Sequence, residues 1–203
     1  MKLCVIGGAG ARSAFLTKSL VKSTRDIRVD HIVLLDNDQQ KLKTYGEISR
    51  ELSRRLDPDL TFEVTSDARA ALTGVDYIIT TIRAGGDAGR LFDEQTCLAH
   101  GVLGQETTGA GGFAMAIRSV PTLVYYCTLA REVANPGHLI FNFTNPSGII
   151  TQALRSKGFD NVYGICDAPS GFIKQLEEIL EIPYGTLDIE CYGLNHLSLS
   201  LIH

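Results

Sequence analysis

Two short segments late in the chain carry residue types suited to metal chemistry: Gly-Ile-Cys-Asp-Ala-Pro, with Cys166 and Asp167, and Gly-Leu-Asn-His-Leu-Ser, with His196. A thiolate and an imidazole suit a divalent transition metal, and two protein ligands leave positions open for substrate or water, so the pair reads as half of a metal site. Each residue also has a plainer role, Cys166 as packing at a strand end and His196 as a core histidine satisfied by Asn195. At the other end of the chain, Lys2 to Ile6 reads as a strand followed by Gly7, Gly10 and Ser13. This G-x-x-G-x-x-S variant of the dinucleotide fingerprint lets backbone N–H groups approach a pyrophosphate, although it lacks the third glycine. A second apolar run, His31 to Leu35, ends in Asp36. A carboxylate there accepts ribose hydroxyls and repels a 2′-phosphate, which favours NAD over NADP. Asp38 is read instead as the cap of the following helix. Asn142 and Asn145, in Phe-Asn-Phe-Thr-Asn-Pro, follow a further strand and offer amides to a cofactor ribose or to sugar hydroxyls; Asn145 could equally cap the helix that Pro146 begins.

These residues must be held by a scaffold, and the pattern specifies one. Short runs rich in Val and Ile, near residues 2–7, 30–36, 60–65, 75–82, 138–143, 161–165 and 187–193, alternate with segments of helical spacing near 12–24, 38–57, 67–73, 110–134, 147–157 and 169–181. Strand-helix alternation of this kind predicts an α/β protein: a Rossmann-like, doubly wound, mainly parallel sheet of the lactate and malate dehydrogenase type. Arg83 to Gly112 is glycine-rich and weakly periodic, and reads as a long functional loop beyond the C-terminal end of a strand, where open α/β sheets place their ligands. Leu197 to His203 reads as a strand that stops without a turn, so the chain looks cut or its last strand pairs with another chain.

The 203 residues, 44% of them hydrophobic, suffice for one packed domain. A net charge of −4 with no basic track argues against nucleic acid. No apolar stretch reads as a membrane span and no signal peptide follows Met1, so a cytoplasmic protein with no membrane partner is expected. Five cysteines without CxxC spacing, Cys4, Cys97, Cys127, Cys166 and Cys191, argue for a reducing compartment, and all but Cys166 are read as packing residues.

The glycine turn, Arg-Ala-Gly-Gly-Asp-Ala-Gly-Arg (Arg83 to Arg90), Gly-Gln-Glu-Thr-Thr-Gly-Ala-Gly-Gly-Phe (Gly104 to Phe113), Thr-Asn-Pro, and the cysteine and histidine segments occur together. In this the chain resembles the N-terminal half of glycoside hydrolase family four, the NAD- and divalent-metal-dependent glycosidases that include 6-phospho-α- and 6-phospho-β-glucosidases. The resemblance runs from Lys2 to about Ser200. It implies that Cys166 and His196 hold a catalytic Mn²⁺ or similar ion, that Asp167 is a candidate acid for the leaving oxygen, and that Glu106 orients the metal's water or a sugar hydroxyl. Arg90 and Asn145 match positions that hold the sugar and its 6-phosphate, and the implied partner is a phosphorylated disaccharide or glucoside. The Thr107-Thr108 form resembles the β branch and Asp167 the α branch; the expectation favours β over α, with the anomer open. The implied mechanism is oxidation at C3 by NAD⁺, removal of the C2 proton, elimination of the glycosidic oxygen, addition of water and return of the hydride, outside the two-carboxylate scheme.

The sequence departs from that family in places. Ala9 and Arg12 stand where the family more often has Gly and an aromatic. The family's tyrosine base, further phosphate-binding residues and helical second half lie beyond residue 203, so residues 1–203 are read as the NAD-binding domain with the start of the catalytic region. Little turnover is expected from this chain alone, and the expected partner is a second copy of the chain or a complementing C-terminal segment. Two other readings stand beside this one: an NAD-dependent 2-hydroxy-acid dehydrogenase without a metal, and a catalytically inactive NAD-binding or assembly module.

Overall fold

A computed structural model describes residues 1–202. Its centre is a six-stranded parallel sheet in the order β3-β2-β1-β4-β5-β6, formed by β1 (Lys2–Ile6), β2 (His31–Leu35), β3 (Thr61–Thr65), β4 (Tyr77–Thr80), β5 (Leu139–Asn142) and β6 (Val162–Gly164). The order reverses between β1 and β4, which is the doubly wound Rossmann arrangement expected from the sequence. Side chains on the central strands alternate strictly. Leu3 and Val5 of β1, with Ile32 and Leu34 of β2, pack beneath α1 (Ser13–Ile27), where Leu20 and Val21 are buried. Cys4, Ile6, Val33 and Leu35 point to the other face, against α4 (Ala68–Leu72), α6 (Gly109–Val133) and α7 (Ser147–Ser156), which contribute Leu72, Leu123, Cys127, Ala130, Ile150 and Leu154. Each large apolar side chain so buried contributes about 1.5–3 kcal/mol.

Three local features differ from expectation. The segment 38–57 is helical but not uniform: α2 (Gln39–Lys41) passes through a π-helical turn, Leu42–Gly46, into α3 (Glu47–Leu56). The widened turn carries Gly46 against β3, where a Cβ would meet Val64 Cγ1 at 2.5 Å. The glycine-rich stretch 83–112 is not a loop throughout, because α5 (Gly86–Ala99) occupies half of it and α6 begins at Gly109. Packing, not propensity, makes α5 helical: Asp93 and Cys97 are buried, and the Asp93 carboxylate accepts a forked pair of hydrogen bonds from Arg118 of α6. Finally, α6 is long and apolar enough, by length and composition, to cross a membrane, although no such segment was expected. It serves instead as a core helix, with Leu123, Cys127 and Ala130 at 0–2% exposure, interrupted by Arg118 and Pro121.

Beyond the sheet, α8 (Ala168–Ile179) leads to an antiparallel hairpin of β7 (Ile189–Leu194) and β8 (Leu197–Ile202), separate from the six-stranded sheet. The apolar run at 197–202 therefore pairs within the chain; His203 lies outside the described residues. In the hairpin, Tyr192 faces Leu199 and Leu194 faces Leu197 across the strands, so one surface is apolar, and these residues are 55–80% exposed. Cys191, expected to be a packing residue, is exposed on the other surface beside Ser200.

Candidate functional site

Because the sheet is parallel, the C-terminal ends of β1, β2, β4, β5 and β6 open on one edge, and the residues singled out from sequence lie along it. After β1, Gly7 and Gly8 N–H groups both donate to the Leu35 carbonyl, at 2.8 and 3.0 Å. Gly7 has φ +87°, and a Cβ there would meet the Thr81 carbonyl oxygen at 2.6 Å, so β1 and β4 can approach only at a glycine. Gly10 differs: nothing lies within 4 Å of its Cβ position, leaving open space beside the backbone. The helix behind it begins at Ser13, and Arg12 at its N-cap makes no side-chain capping bond, so N–H groups at this terminus remain for an anion. Asp36, at the end of β2, accepts the Ala9 N–H at 3.2 Å and the Asp38 N–H at 3.1 Å, tying the glycine turn to the acidic position. A carboxylate has about four acceptor sites, so two remain for ribose hydroxyls. Asp38 caps α2 through the Lys41 N–H.

At β5 the structure corrects the expected role of Asn142. Its side chain is fully buried and its amide is engaged on every side: Oδ1 accepts from the Thr80 hydroxyl at 2.8 Å, and Nδ2 donates toward Thr144 O, Ser147 O and Thr151 Oγ1 at 3.2–3.3 Å. No donor or acceptor is left for a ribose, so Asn142 acts as the hub of a buried polar network. Its backbone carbonyl receives the Ile165 N–H at 3.0 Å, one residue before Cys166. Sequence reasoning missed Thr80 and Thr144, each 1% exposed; Thr144 Oγ1 accepts the Ile82 N–H and ties β4 to the Thr-Asn-Pro turn. Asn145 is half-buried on that turn, and Pro146 rather than Asn145 occupies the N-cap position of α7.

Arg90 and Glu106 are both paired. Arg90 Nε donates to Glu94 Oε1 at 2.6 Å, and this bond, with the nearby Glu106 charge, raises the Arg90 pKa further. Glu106 accepts from Arg83 at 3.0 Å, while Arg83 also reaches Asp87 at 2.7 Å. Arg83 directly follows Ile82, whose N–H is anchored on Thr144, and opens the Arg83–Arg90 segment; sequence reasoning gave it no role of its own, and the structure shows it pairing Glu106 with Asp87. The turn that carries it is fixed from α6, because Arg118 Nε donates to the Ala84 carbonyl at 3.1 Å while its other nitrogens hold Asp93.

Cys166 follows β6, and His196 sits at the two-residue tip of the hairpin with φ +59°. The two come together: Cys166 Sγ lies 3.5 Å from His196 Nε2. Ligands bound at ~2.3 Å through sulfur and ~2.05 Å through nitrogen, with a tetrahedral angle between them, stand ~3.5 Å apart, so the pair is spaced to share one ion. Asn195 does not serve His196 as a hydrogen-bond partner; its Oδ1 is buried and unpaired among the described residues. Among the described residues no third Cys, His, Asp or Glu joins the pair in a group suited to a metal ion. Asp167 lies at the N-cap of α8 without a side-chain capping bond, and its exposed carboxylate remains next to Cys166. Beside Cys166 an open cleft of about 720 Å³ runs along the free edge of β6, lined by Thr151, Arg155, Gly164 and Asn195.

The model for family 4 glycosyl hydrolases matches residues 2–182. The chain belongs to that family. Family 4 relatives include 6-phospho-beta-glucosidase BglT of Thermotoga maritima, 36% identical over 200 residues, which cover 98% of this chain and 47% of that protein. Phospho-alpha-glucosidase PagL of Clostridium acetobutylicum is 32% identical over 96% of this chain and 44% of its own length. Among solved structures, a 6-phospho-alpha-glucosidase from gut microorganisms in complex with NAD and Mn²⁺ superposes with a TM-score of 0.92 at 31% identity, over 98% of this chain and 46% of that one. The chain thus spans about half the length of the relatives it matches. A malate dehydrogenase from Salinibacter ruber, at 18% identity and a TM-score of 0.67, shares the fold.

Proposed function

We propose that this family 4 chain forms the NAD- and metal-binding half of a cytoplasmic 6-phospho-glucosidase, with the β-anomer preferred. The observation that carries the reading is the Cys166–His196 pair, 3.5 Å apart on the sheet edge that also bears the Gly7–Gly10 turn and Asp36. The relatives are named for both 6-phospho-β- and phospho-α-glucosidase activities; the Thr107-Thr108 pair supports the β preference. When bound, NAD⁺ supplies a hydride acceptor and a divalent cation supplies Lewis-acid stabilisation of negative charge beside an oxidised sugar carbon.

The chain's own residues then have separable tasks. Gly10 and the α1 N-terminus leave room and N–H groups for the pyrophosphate, and Ser13 closes that turn. Asp36 selects the ribose diol over a 2′-phosphate. Cys166 and His196 hold the cation, and Asp167 gives a proton to the leaving oxygen. Glu106, held by Arg83, orients water or a sugar hydroxyl, while Asn145 and Arg90 bind the sugar and its 6-phosphate, for which Arg90 must exchange Glu94 for phosphate oxygens. The dehydrogenase alternative is not favoured, since malate dehydrogenases share this fold at 18% identity and below.

The test measures NAD⁺ and Mn²⁺ binding to the purified chain, then hydrolysis of p-nitrophenyl 6-phospho-β-glucoside and its α-anomer with and without both additives. Binding of NAD⁺ and Mn²⁺ that is lost in Asp36→Ala and Cys166→Ser respectively is expected. Failure of the wild-type chain to bind either would overturn the reading, and net NADH accumulation from a 2-hydroxy acid would replace it with the dehydrogenase.

A further inference from the structure

The two proposed metal ligands belong to different bodies. Cys166 ends a strand of the core sheet, whereas His196 rides on the β7–β8 hairpin, whose apolar surface is largely exposed. Between them the chain travels out along α8 and back along β7. The twelve residues of α8 span ~18 Å and the six of β7 span ~20 Å, so the two arms are nearly equal and the tip returns to Cys166 only if the turn joining them is held. A 10° swing of a ~20 Å strand displaces its tip by ~3.5 Å, enough to separate sulfur from nitrogen beyond the reach of one ion.

Thr186 closes that turn locally, its hydroxyl donating to the Pro183 carbonyl at 2.6 Å, and the side chain that ties the turn back to α8 is Glu177. Glu177 is 1% exposed on a helix otherwise open to solvent, with Phe172 at 66% and Ile179 at 75%. Its Oε1 accepts the N–H groups of Gly185 and Leu187, both at 2.9 Å, closing the connection from α8 into β7. Gly185 has φ +86°, a conformation that turns its N–H inward and that other residues rarely adopt. A buried carboxylate on two backbone donors is a strong, directional clasp, and substitution takes from both donors the group that ties them to α8.

We infer that Glu177 is a positioning residue for the metal site: by clasping the Gly185–Leu187 turn it sets the hairpin so that His196 meets Cys166. This deepens the metal reading above and rests on it. Glu177 touches neither ion nor substrate, and its effect is exerted through the backbone of the arm that carries His196. Removal of outer residues that orient a ligand weakens metal binding by roughly 10–100-fold.

Cobalt(II) titration of the intact chain tests the inference, following the sulfur-to-cobalt charge-transfer absorption that reports a bound thiolate. The wild type should develop this band and Cys166→Ser should not. Glu177→Ala should bind Co²⁺ at least ~10-fold more weakly, while NAD⁺ affinity, read at the turns after β1 and β2, stays within about twofold. Glu177→Gln, which retains an oxygen acceptor, should recover most of the affinity. Amides of 189–194 should exchange with deuterium faster in Glu177→Ala than in the wild type. Should Glu177→Ala not fold, Glu177→Asp carries the same test, since one fewer methylene prevents it reaching both donors. A folded variant with wild-type Co²⁺ affinity and unchanged hairpin exchange overturns the inference. No band in the wild type overturns the metal reading itself, and the exchange measurement then separates that failure from a failure of the clasp.

Discussion

Two glycines three residues apart in the first turn should respond to the same substitution in opposite ways. Gly7→Ala forces a side chain onto a φ of +87° and places its Cβ 2.6 Å from the Thr81 carbonyl oxygen, a backbone atom that cannot rotate away. The left-handed conformation costs ~1–2 kcal/mol for a residue with a Cβ, and relief of the clash costs a further ~1–3 kcal/mol, about 3 kcal/mol together. For a chain of this size each kcal/mol lowers Tm by roughly 2–4 °C, so a fall of about 6–12 °C is expected. Gly10→Ala meets no atom within 4 Å and its φ is not positive, so its Tm should stay within about 2 °C of the wild type. The space that makes Gly10→Ala harmless to the fold is the space assigned to the pyrophosphate, and NAD⁺ affinity should fall at least tenfold, about 1.4 kcal/mol. Differential scanning fluorimetry and fluorescence titration with NADH measure both. An unchanged Tm for Gly7→Ala would refute the account of the β1–β4 approach. Wild-type nucleotide affinity for Gly10→Ala would refute the placement of the pyrophosphate.

Four further outcomes are expected. Asn142→Ala strands the Thr80 hydroxyl and opens the network under Cys166, and urea unfolding should show a loss of about 2–4 kcal/mol. Asp93→Ala leaves Arg118 partly buried without its carboxylate and frees the Ala84 turn, so the same assay should show a loss of about 3 kcal/mol. Glu177 is held below its ordinary 4.5 by the backbone N–H groups of Leu187 and Gly185, and Asp76 below its ordinary 3.8 by the Asn135 amide and the Lys2 N–H. Both stabilise the fold above those values, and that contribution is lost as pH falls through their lower folded-state values; the urea midpoint should drop below about pH 4.5, less steeply in Glu177→Gln. Burial pushes the thiols of Cys4 and Cys127 up to about 12, so iodoacetamide should label Cys191 and Cys166 but spare those two, and Co²⁺ should protect Cys166 alone, as read by peptide mass spectrometry.

The strand-helix alternation was legible because β1, β2 and β4 are short and apolar on both faces, as a strand covered by helices on both sides must be. The capping role of Asp38 was legible for a local reason, since an Asx cap depends only on residues within one turn. By contrast, α5 was hidden by Gly85, Gly86 and Gly89, whose propensities oppose a helix; it forms because Asp93 finds Arg118 on α6, a partner 25 residues away. Asn142 was misread for a related reason. Its type and its place after a strand suit a ligand, but Thr80, Thr144, Ser147 and Thr151 converge on it only once β4, β5 and α7 are assembled. The role suggested for Glu177 was equally invisible, because a lone Glu in an amphipathic helix looks solvated until the chain turns back over it.

The strand order has a consequence for how the chain is made. β1 lies in the middle of the sheet, and although β2 and β3 can pair beside it as soon as residue 65 is synthesised, its other edge is filled by β4, which ends at Thr80. At 5–20 residues per second, about 1–3 s separate those two points on the ribosome. During that interval Leu3, Cys4, Val5 and Ile6 present an unpaired parallel edge, an apolar template on which another chain can pair. Slower translation across residues 66–80 would lengthen that exposure, and slow codons there should lower the yield of soluble protein.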